Sequence, residues 1–492
     1  MEETPYFTLY LLYLSAFLLA YIVLDVYLKA EIYTFAKKVH GPKAYPIIGS
    51  NYIFHTKERN YLRTLFNTFD QYKLPVSLWN GNQYEYWTSN VEEIEDILNS
   101  NKTLDKGNGY SKLALYLGDS LLVVSDKSWE SHRKLLSKCF EPDVLEKFIS
   151  VFYDRSCDLA DSIAHVDQNP TQLILRCTAN MFFGTAGLGN IIDLLFIQKV
   201  LKASQHSTEK MHNPFSANFY YYHFNPEGRI VKHNLTFLKD YANRIVAERK
   251  SKLIKLKKLS NANETDYKPQ ALLDIIIDTG LTIEASTNEM ILFAGETSCK
   301  SAPAFLSSCV LLSIHKDIQD QVYKEIISVV GEHDKITHES VKQLELTERV
   351  ILESLRICPI MMSLTRYTKE RVRIGHRVIP SGCHIKIFVY DVHHQEKYWP
   401  NPRKFDPDRF LPENAAKRNQ YSYLAFSCGP RNCLGEKYAL MLMKTMLATV
   451  VRRYTITSDY LSADEINLNP DLLYTNDKIC NFIPRKSVVN EE

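Results

Sequence analysis

The stretch Phe426-Ser427-Cys428-Gly429-Pro430-Arg431-Asn432-Cys433-Leu434-Gly435 decides how the rest of the chain is read. Cys433 lies in a loop held by Gly429, Pro430 and Gly435, with Arg431 two residues upstream. Glycines let backbone N–H groups approach a sulfur, and a nearby cation opposes its protonation, so these are the surroundings of a thiolate ligand. Downstream, Lys437 to Tyr454 has the pattern of an amphipathic helix behind the loop. Upstream, Phe405-Asp-Pro-Asp-Arg409-Phe and His393-His-Gln-Glu-Lys-Tyr-Trp399-Pro prepare the approach to it.

Working outward, composition bounds the options. The chain has 492 residues, 45% hydrophobic and 24% charged, enough to bury a large core. A formal net charge of +2 excludes a protein organised around nucleic acid, because no pervasive basic excess opposes phosphates. The 10 cysteines form no Cys-x-x-Cys pair, which fits a reducing compartment better than a disulfide framework or a zinc site. Thr4 to Leu24 carries no charge and, at about 1.5 Å per residue, is long enough as a helix to cross a ~30 Å hydrocarbon core. Glu2 and Glu3 precede it and bulky residues fill it, unlike a cleaved signal peptide. Lys29, Lys37 and Lys38 follow, which places the body on the cytosolic side.

After a turn-rich segment from Gly41 to Gly49, Pro75-Val-Ser-Leu-Trp79 and Tyr84-Glu-Tyr-Trp87 read as paired strands, and most of the chain to Leu355 reads helical. Trp129 and Arg133 stand at i and i+4, so an indole N–H and a guanidinium share one helix face and can reach one anionic group. The lysine-rich run from Lys250 to Gln270 reads as a solvated linker. From Ile283 to His315 a long apolar helix is expected, containing Ala294-Gly-Glu-Thr-Ser298. Glu353 and Arg356, at i and i+3, can pair on one helix face. Val372 to Val389 reads as strands around a Pro380-Ser-Gly turn, and Leu472 to Pro484 as a terminal hairpin whose turn begins at Tyr474.

The spacing Phe-x-x-Gly-x-Arg-x-Cys-x-Gly resembles the haem-binding loop of the cytochrome P450 superfamily. Trp129-Glu-Ser-His-Arg133 with Leu117-Gly-Asp-Ser-Leu-Leu before it is similar to the family-four, fatty-acid hydroxylase clan of animals, microsomal in type. The resemblance implies a mainly α fold with small β-sheets, ordered as an anchor over residues 1–28, a hinge over 29–50 and a catalytic body over 51–492. It implies Cys433 as the proximal metal ligand, with Phe426, Arg431 and Gly435 shaping the loop, and Trp129, Arg133 and Arg366 toward the propionates. Residues 108–121 would line the substrate cavity. Glu353, Arg356 and Arg409 would form a supporting network, with His393 a propionate or packing partner.

In the family, an acid and an alcohol on the central helix relay protons. Here Glu296 follows Gly295 directly, one residue short of the usual spacing. Either Glu296 and Thr297 keep these roles through a local bulge near Pro303, or the register slips and Ser298 takes the alcohol's place. Ala294 stands where the clan often carries a glutamate ester-linked to haem, so the expected cofactor is haem b without that bond. The reaction implied is insertion of one oxygen atom from O2 into a lipophilic substrate such as a fatty acid, related lipid or xenobiotic. Electrons would come from NADPH through cytochrome P450 reductase, with cytochrome b5 as a second donor. A haem-thiolate peroxide isomerase or dehydratase, and a non-enzymatic haem or ligand-binding protein, are the competing readings. The location implied is the endoplasmic reticulum membrane, crossed once.

Overall fold

The computed structural model describes residues 4–54, 61–107, 110, 113–164, 170–189, 196, 199, 225–259, 271–462 and 480–485. It divides into two compact units, residues 1–107 with 363–388, and residues 108–362 with 389–492.

The smaller unit is built on a mixed sheet. Strands β1 (Val76–Asn80) and β2 (Gln83–Thr88) are antiparallel, as their alternation predicts, with Val76 opposite Trp87. Strand β3 (Ser363–Tyr367) is followed by the short antiparallel pair β4 (Val372–Ile374) and β5 (Arg377–Ile379), then β6 (His384–Phe388). The sheet order is β1-β2-β6-β3, with β2 and β6 parallel. Phe69, Trp87 and Phe388 pack edge to face behind it, giving the sheet its apolar side.

The first helix runs Thr4–Leu28, and its segment Phe7–Leu28 has a mean hydropathy of 2.2 with none of it buried. Its end is fastened to the body of this unit. Lys29 Nζ donates to the Asn82 carbonyl (2.8 Å), Asn82 donates to the Tyr21 hydroxyl (3.1 Å), and the Tyr33 hydroxyl donates to Asp25 (2.9 Å) while its ring stacks on Trp79. Helix Ala30–Ala36 continues inward with Ile32 and Phe35 buried.

The larger unit is helical around one central rod. Thr282 caps it by accepting from the Ala285 N–H (3.1 Å), and it runs Ile283–Glu296, then a π-helical turn Thr297–Ser301, then Ala302–Ile314. Pro303 explains the turn. It has no N–H for the Cys299 carbonyl and its ring crowds that carbonyl, so the backbone ahead of it widens. Every residue from Ala302 to Ser313 is buried, as an all-round apolar sequence requires.

One expectation fails. Lys250 to Leu259 closes a long helix, Pro226–Leu259, and is not a linker; Leu253 is buried, so even this lysine-rich run has an apolar face. Residues 260–270 lie outside the described residues. The described part of the tail, β8 (Asn481–Pro484), pairs antiparallel with the earlier strand β7 (Tyr454–Thr457), and Tyr474 lies outside the described residues.

Candidate active site: the Cys433 loop and the central helix

Helix Asp126–Leu136 carries Trp129 and Arg133 on one face, and helix Glu436–Arg453 begins one residue after Gly435. Between them the cysteine loop closes on itself. Cys433 N donates to the Phe426 carbonyl (2.8 Å) and Asn432 N to the Gly429 carbonyl (3.1 Å). Gly429 has φ +76°, which a side chain would resist.

The loop is held from outside by two arginines. Arg133 donates Nη1 to the Asn432 carbonyl (2.8 Å) and Nη2 to its Oδ1 (2.6 Å). Arg431 is buried, donates to the carbonyls of Leu121 (3.4 Å) and Val124 (2.9 Å), and lies 4.7 Å over the Trp129 ring. So the structure gathers Trp129, Arg133, Phe426, Arg431, Cys433 and Gly435 around one loop. Arg366 belongs to the smaller unit, buried on β3, with Nη1 donating to its neighbour's carbonyl, Thr365 O (2.9 Å).

Among the ten cysteines, Cys433 alone is exposed. Burial of its surroundings pushes the thiol up to about 11; a hydrogen bond from Gly435 N–H and the charge of Arg133 work the other way. Desolvation therefore outweighs the loop's glycine and cation, and without a metal this sulfur keeps its proton. Cys433 would lose that proton on binding a metal ion, whose positive charge the thiolate would balance.

The facing side is the central helix. A Cβ placed on Gly295 would meet nothing within 4 Å, so the rod opens on to free space there. Glu296 is near enough for its charge to oppose ionisation of Cys433. Thr297, half-buried, begins the π turn, while Ser298 is buried and donates its hydroxyl to the Ala294 carbonyl (2.8 Å). An open thiol, a glycine-made hollow and guanidiniums beside the loop fit a flat, anionic, metal-bearing group.

Beneath the loop, Glu353 and Arg356 are wholly buried and joined by two bonds, 2.7 and 2.8 Å. Asp406 N donates to Glu353 (2.9 Å), and Arg409 Nε approaches it at 3.4 Å. Arg356 donates also to the carbonyls of His393 (2.9 Å) and Lys404 (3.3 Å). The i, i+3 spacing implied the pair, and the resemblance implied the network with Arg409. His393 is a packing joint: its Nε2 accepts from Leu424 N (2.8 Å), and burial depresses its pKa well below the ordinary imidazole value, keeping it neutral.

The sequence profile described as Cytochrome P450 matches residues 39–479. The chain belongs to the cytochrome P450 family. Among curated proteins it is similar to human (Homo sapiens) "Cytochrome P450 4V2", 30% identical over 461 residues covering 88% of this chain and 86% of that one. "Cytochrome P450 4c3" of Drosophila melanogaster is 28% identical over 87% of this chain and 85% of its own length. "Cytochrome P450 4c21" of Blattella germanica is 28% identical over 85% and 87%. This cytochrome P450 is thus a monooxygenase with family-four relatives, carrying haem b on an axial thiolate, and its family implies a redox partner and a lipophilic substrate. Among the described residues one long apolar helix is compatible with a membrane anchor.

Sequence reasoning missed Glu289, buried in the central helix and paired with His132 Nδ1 (2.8 Å). The only signal was a carboxylate at the point where the polar first turns of the helix, Ser286-Thr-Asn, give way to the apolar run Met290-Ile-Leu-Phe-Ala294.

Proposed function

We propose that this chain hydroxylates a fatty acid or a related lipid, with electrons from NADPH delivered by cytochrome P450 reductase, at the endoplasmic reticulum membrane with the body in the cytosol. The observation that carries the reading is the open thiol of Cys433 set close to Glu296, beside the space at Gly295. Haem bound through Cys433 supplies dioxygen activation, and thiolate donation favours O–O cleavage. Trp129 and Arg133 would neutralise its propionates. Ala294 offers no carboxylate for an ester, so the haem is held without one.

The chain's own residues then manage protons. The π turn supports the reading in which Glu296 and Thr297 keep the acid and alcohol roles: it is the local bulge ahead of Pro303 that this reading calls for, and Thr297 begins it. The Ser298 hydroxyl is committed to the Ala294 carbonyl, which leaves it poorly placed for the same task. Glu296 would hold the proton at its carboxyl and Thr297 pass it at Oγ1. Lys29, Lys37 and Lys38 after the apolar helix favour the cytosolic side for the body.

The test is reconstitution of the full chain with reductase and NADPH in lipid vesicles, against a panel of free fatty acids. NADPH-dependent hydroxylated product is expected. Rearrangement of lipid hydroperoxides at full rate without NADPH, and no hydroxylation with it, would overturn the proposal in favour of an isomerase.

A further inference from the structure

We propose that Glu289 is a positioning residue for the thiolate loop, tying Arg431 and Asn432 to the central helix through two separate arms. One arm runs through the backbone. Leu121 N donates to Glu289 Oε1 (2.8 Å), and the carbonyls of Leu121 and Val124 accept from Arg431. The other runs through a side chain. His132 Nδ1 bonds the same Oε1 (2.8 Å), and its neighbour Arg133 grips Asn432 by both its carbonyl and its amide oxygen. The two arms end on consecutive residues immediately before Cys433. Glu289 stands seven positions, or about two turns, before Glu296, so the rod that carries the proton-handling residues also holds the loop that carries the sulfur.

The joint is tight. Gly118 has φ +54°, and a Cβ there would come within 2.3 Å of the Asn288 amide, so the segment ahead of Leu121 lies directly against the central helix. Glu289 is completely buried, and its second oxygen, like the Ser120 hydroxyl nearby in sequence, is buried with no hydrogen-bond partner among the described residues. An unpartnered buried oxygen costs stability, and a leucine of similar size would avoid that cost. What the carboxylate gains is one acceptor serving two elements at once. Burial pushes its carboxyl upward, with His132 and Leu121 N opposing, so the task at Oε1 is to accept hydrogen bonds and needs no net charge.

This inference rests on Cys433 as the thiolate ligand. The full-length holoprotein is compared with Glu289→Leu and Glu289→Gln, reading the fraction of reduced, carbon monoxide-bound haem that keeps the thiolate band, and the rate at which that fraction decays. Glu289→Leu should shift the balance between thiolate-bound and thiolate-lost haem by roughly 5- to 100-fold, the equivalent of losing two neutral hydrogen bonds. Glu289→Gln, which keeps an oxygen at Oε1, should stay close to the parent. A leucine variant that melts lower yet holds the parent band and decay rate would overturn the proposal, as would a glutamine variant as damaged as the leucine one. If Glu289→Leu does not fold, His132→Phe decides, since it cuts one arm only: several-fold faster decay supports the proposal and an unchanged rate refutes it. Failure of the ligand reading is separate, because Cys433→Ser would then keep the band whatever Glu289 does.

Discussion

Replacing Arg356 by methionine tests how much the buried pair beneath the loop contributes. Both side chains of the pair have zero exposure, and the substitution removes two bonds to Glu353 and two donations to backbone carbonyls. Glu353 keeps Asp406 N and the more distant Arg409, which cannot replace a bidentate guanidinium. Breaking a buried pair by removing one partner costs about 3–5 kcal/mol, or roughly a 10²- to 10³-fold change in the folded-to-unfolded ratio. The chain holds its own control. Arg155 and Asp158 form a pair with the same i, i+3 spacing at 2.8 Å, but 39% and 61% exposed. Solvent screening reduces such a pair to about 0–1 kcal/mol, so Arg155→Met should be nearly silent. The assay is proteolysis of the unfolded fraction across a urea series, run on both variants side by side. Equal, small effects would refute the burial argument; equal, large effects would refute the screening argument.

Four further outcomes are expected. Cys433→Ser should abolish the long-wavelength carbon monoxide band of thiolate-bound haem, and retention of that band would remove Cys433 as ligand. Thr297→Ala should lower product formed per NADPH consumed, with a rate loss of about 10²-fold or more, while Ser298→Ala stays mild; the reverse pattern would mean the slipped register. His393 is neutral when folded, its pKa lying well below the ordinary 6.5, so as pH falls below that value the unfolded chain takes up a proton that the folded one does not. Stability should therefore drop on acidification with a slope contribution of about 1.4 kcal/mol per pH unit, and His393→Phe should flatten the slope by about that much; identical slopes would contradict it. In membranes of an expressing cell, the full chain should resist alkaline carbonate extraction, and clean release would remove the anchor.

How far the sequence could be read depended on the distance between partners. Cys433, Glu353 with Arg356, Trp129 with Arg133, and the β1–β2 hairpin all use local spacing, which a linear reading captures. Glu289 could not be found that way: its partner Leu121 is 168 positions away, and nothing in its local spacing sets it apart from Glu284 and Glu296 on the same helix. The tail went to β7 for the same reason, since strand pairing has no local code for its partner. The lysine run misled differently, because charge density suggests a solvated linker while one buried leucine per stretch is enough to seat a helix. The role of Arg431 was half legible. Its closeness to Cys433 suggested a thiolate partner, yet it donates to the backbone of Leu121 and Val124. The π turn was foreshadowed by Pro303, whose missing N–H is a property of the residue itself.

The fastening of the first helix at Asn82, Tyr33 and Trp79 changes what it means for an enzyme to be tethered. A loose tether would leave the attached unit free to tumble, and every encounter with a membrane-borne electron donor would then have to spend orientational entropy. Were the helix to cross a bilayer, its end bolted to a hairpin would orient the smaller unit with respect to the bilayer normal, and part of that entropy would be surrendered at folding and not at each collision. It follows that cutting the chain after Leu28 is not a neutral way to solubilise it: Tyr33 loses Asp25 and Asn82 loses Tyr21, while the hairpin keeps Lys29 on Asn82 and the Tyr33 ring on Trp79.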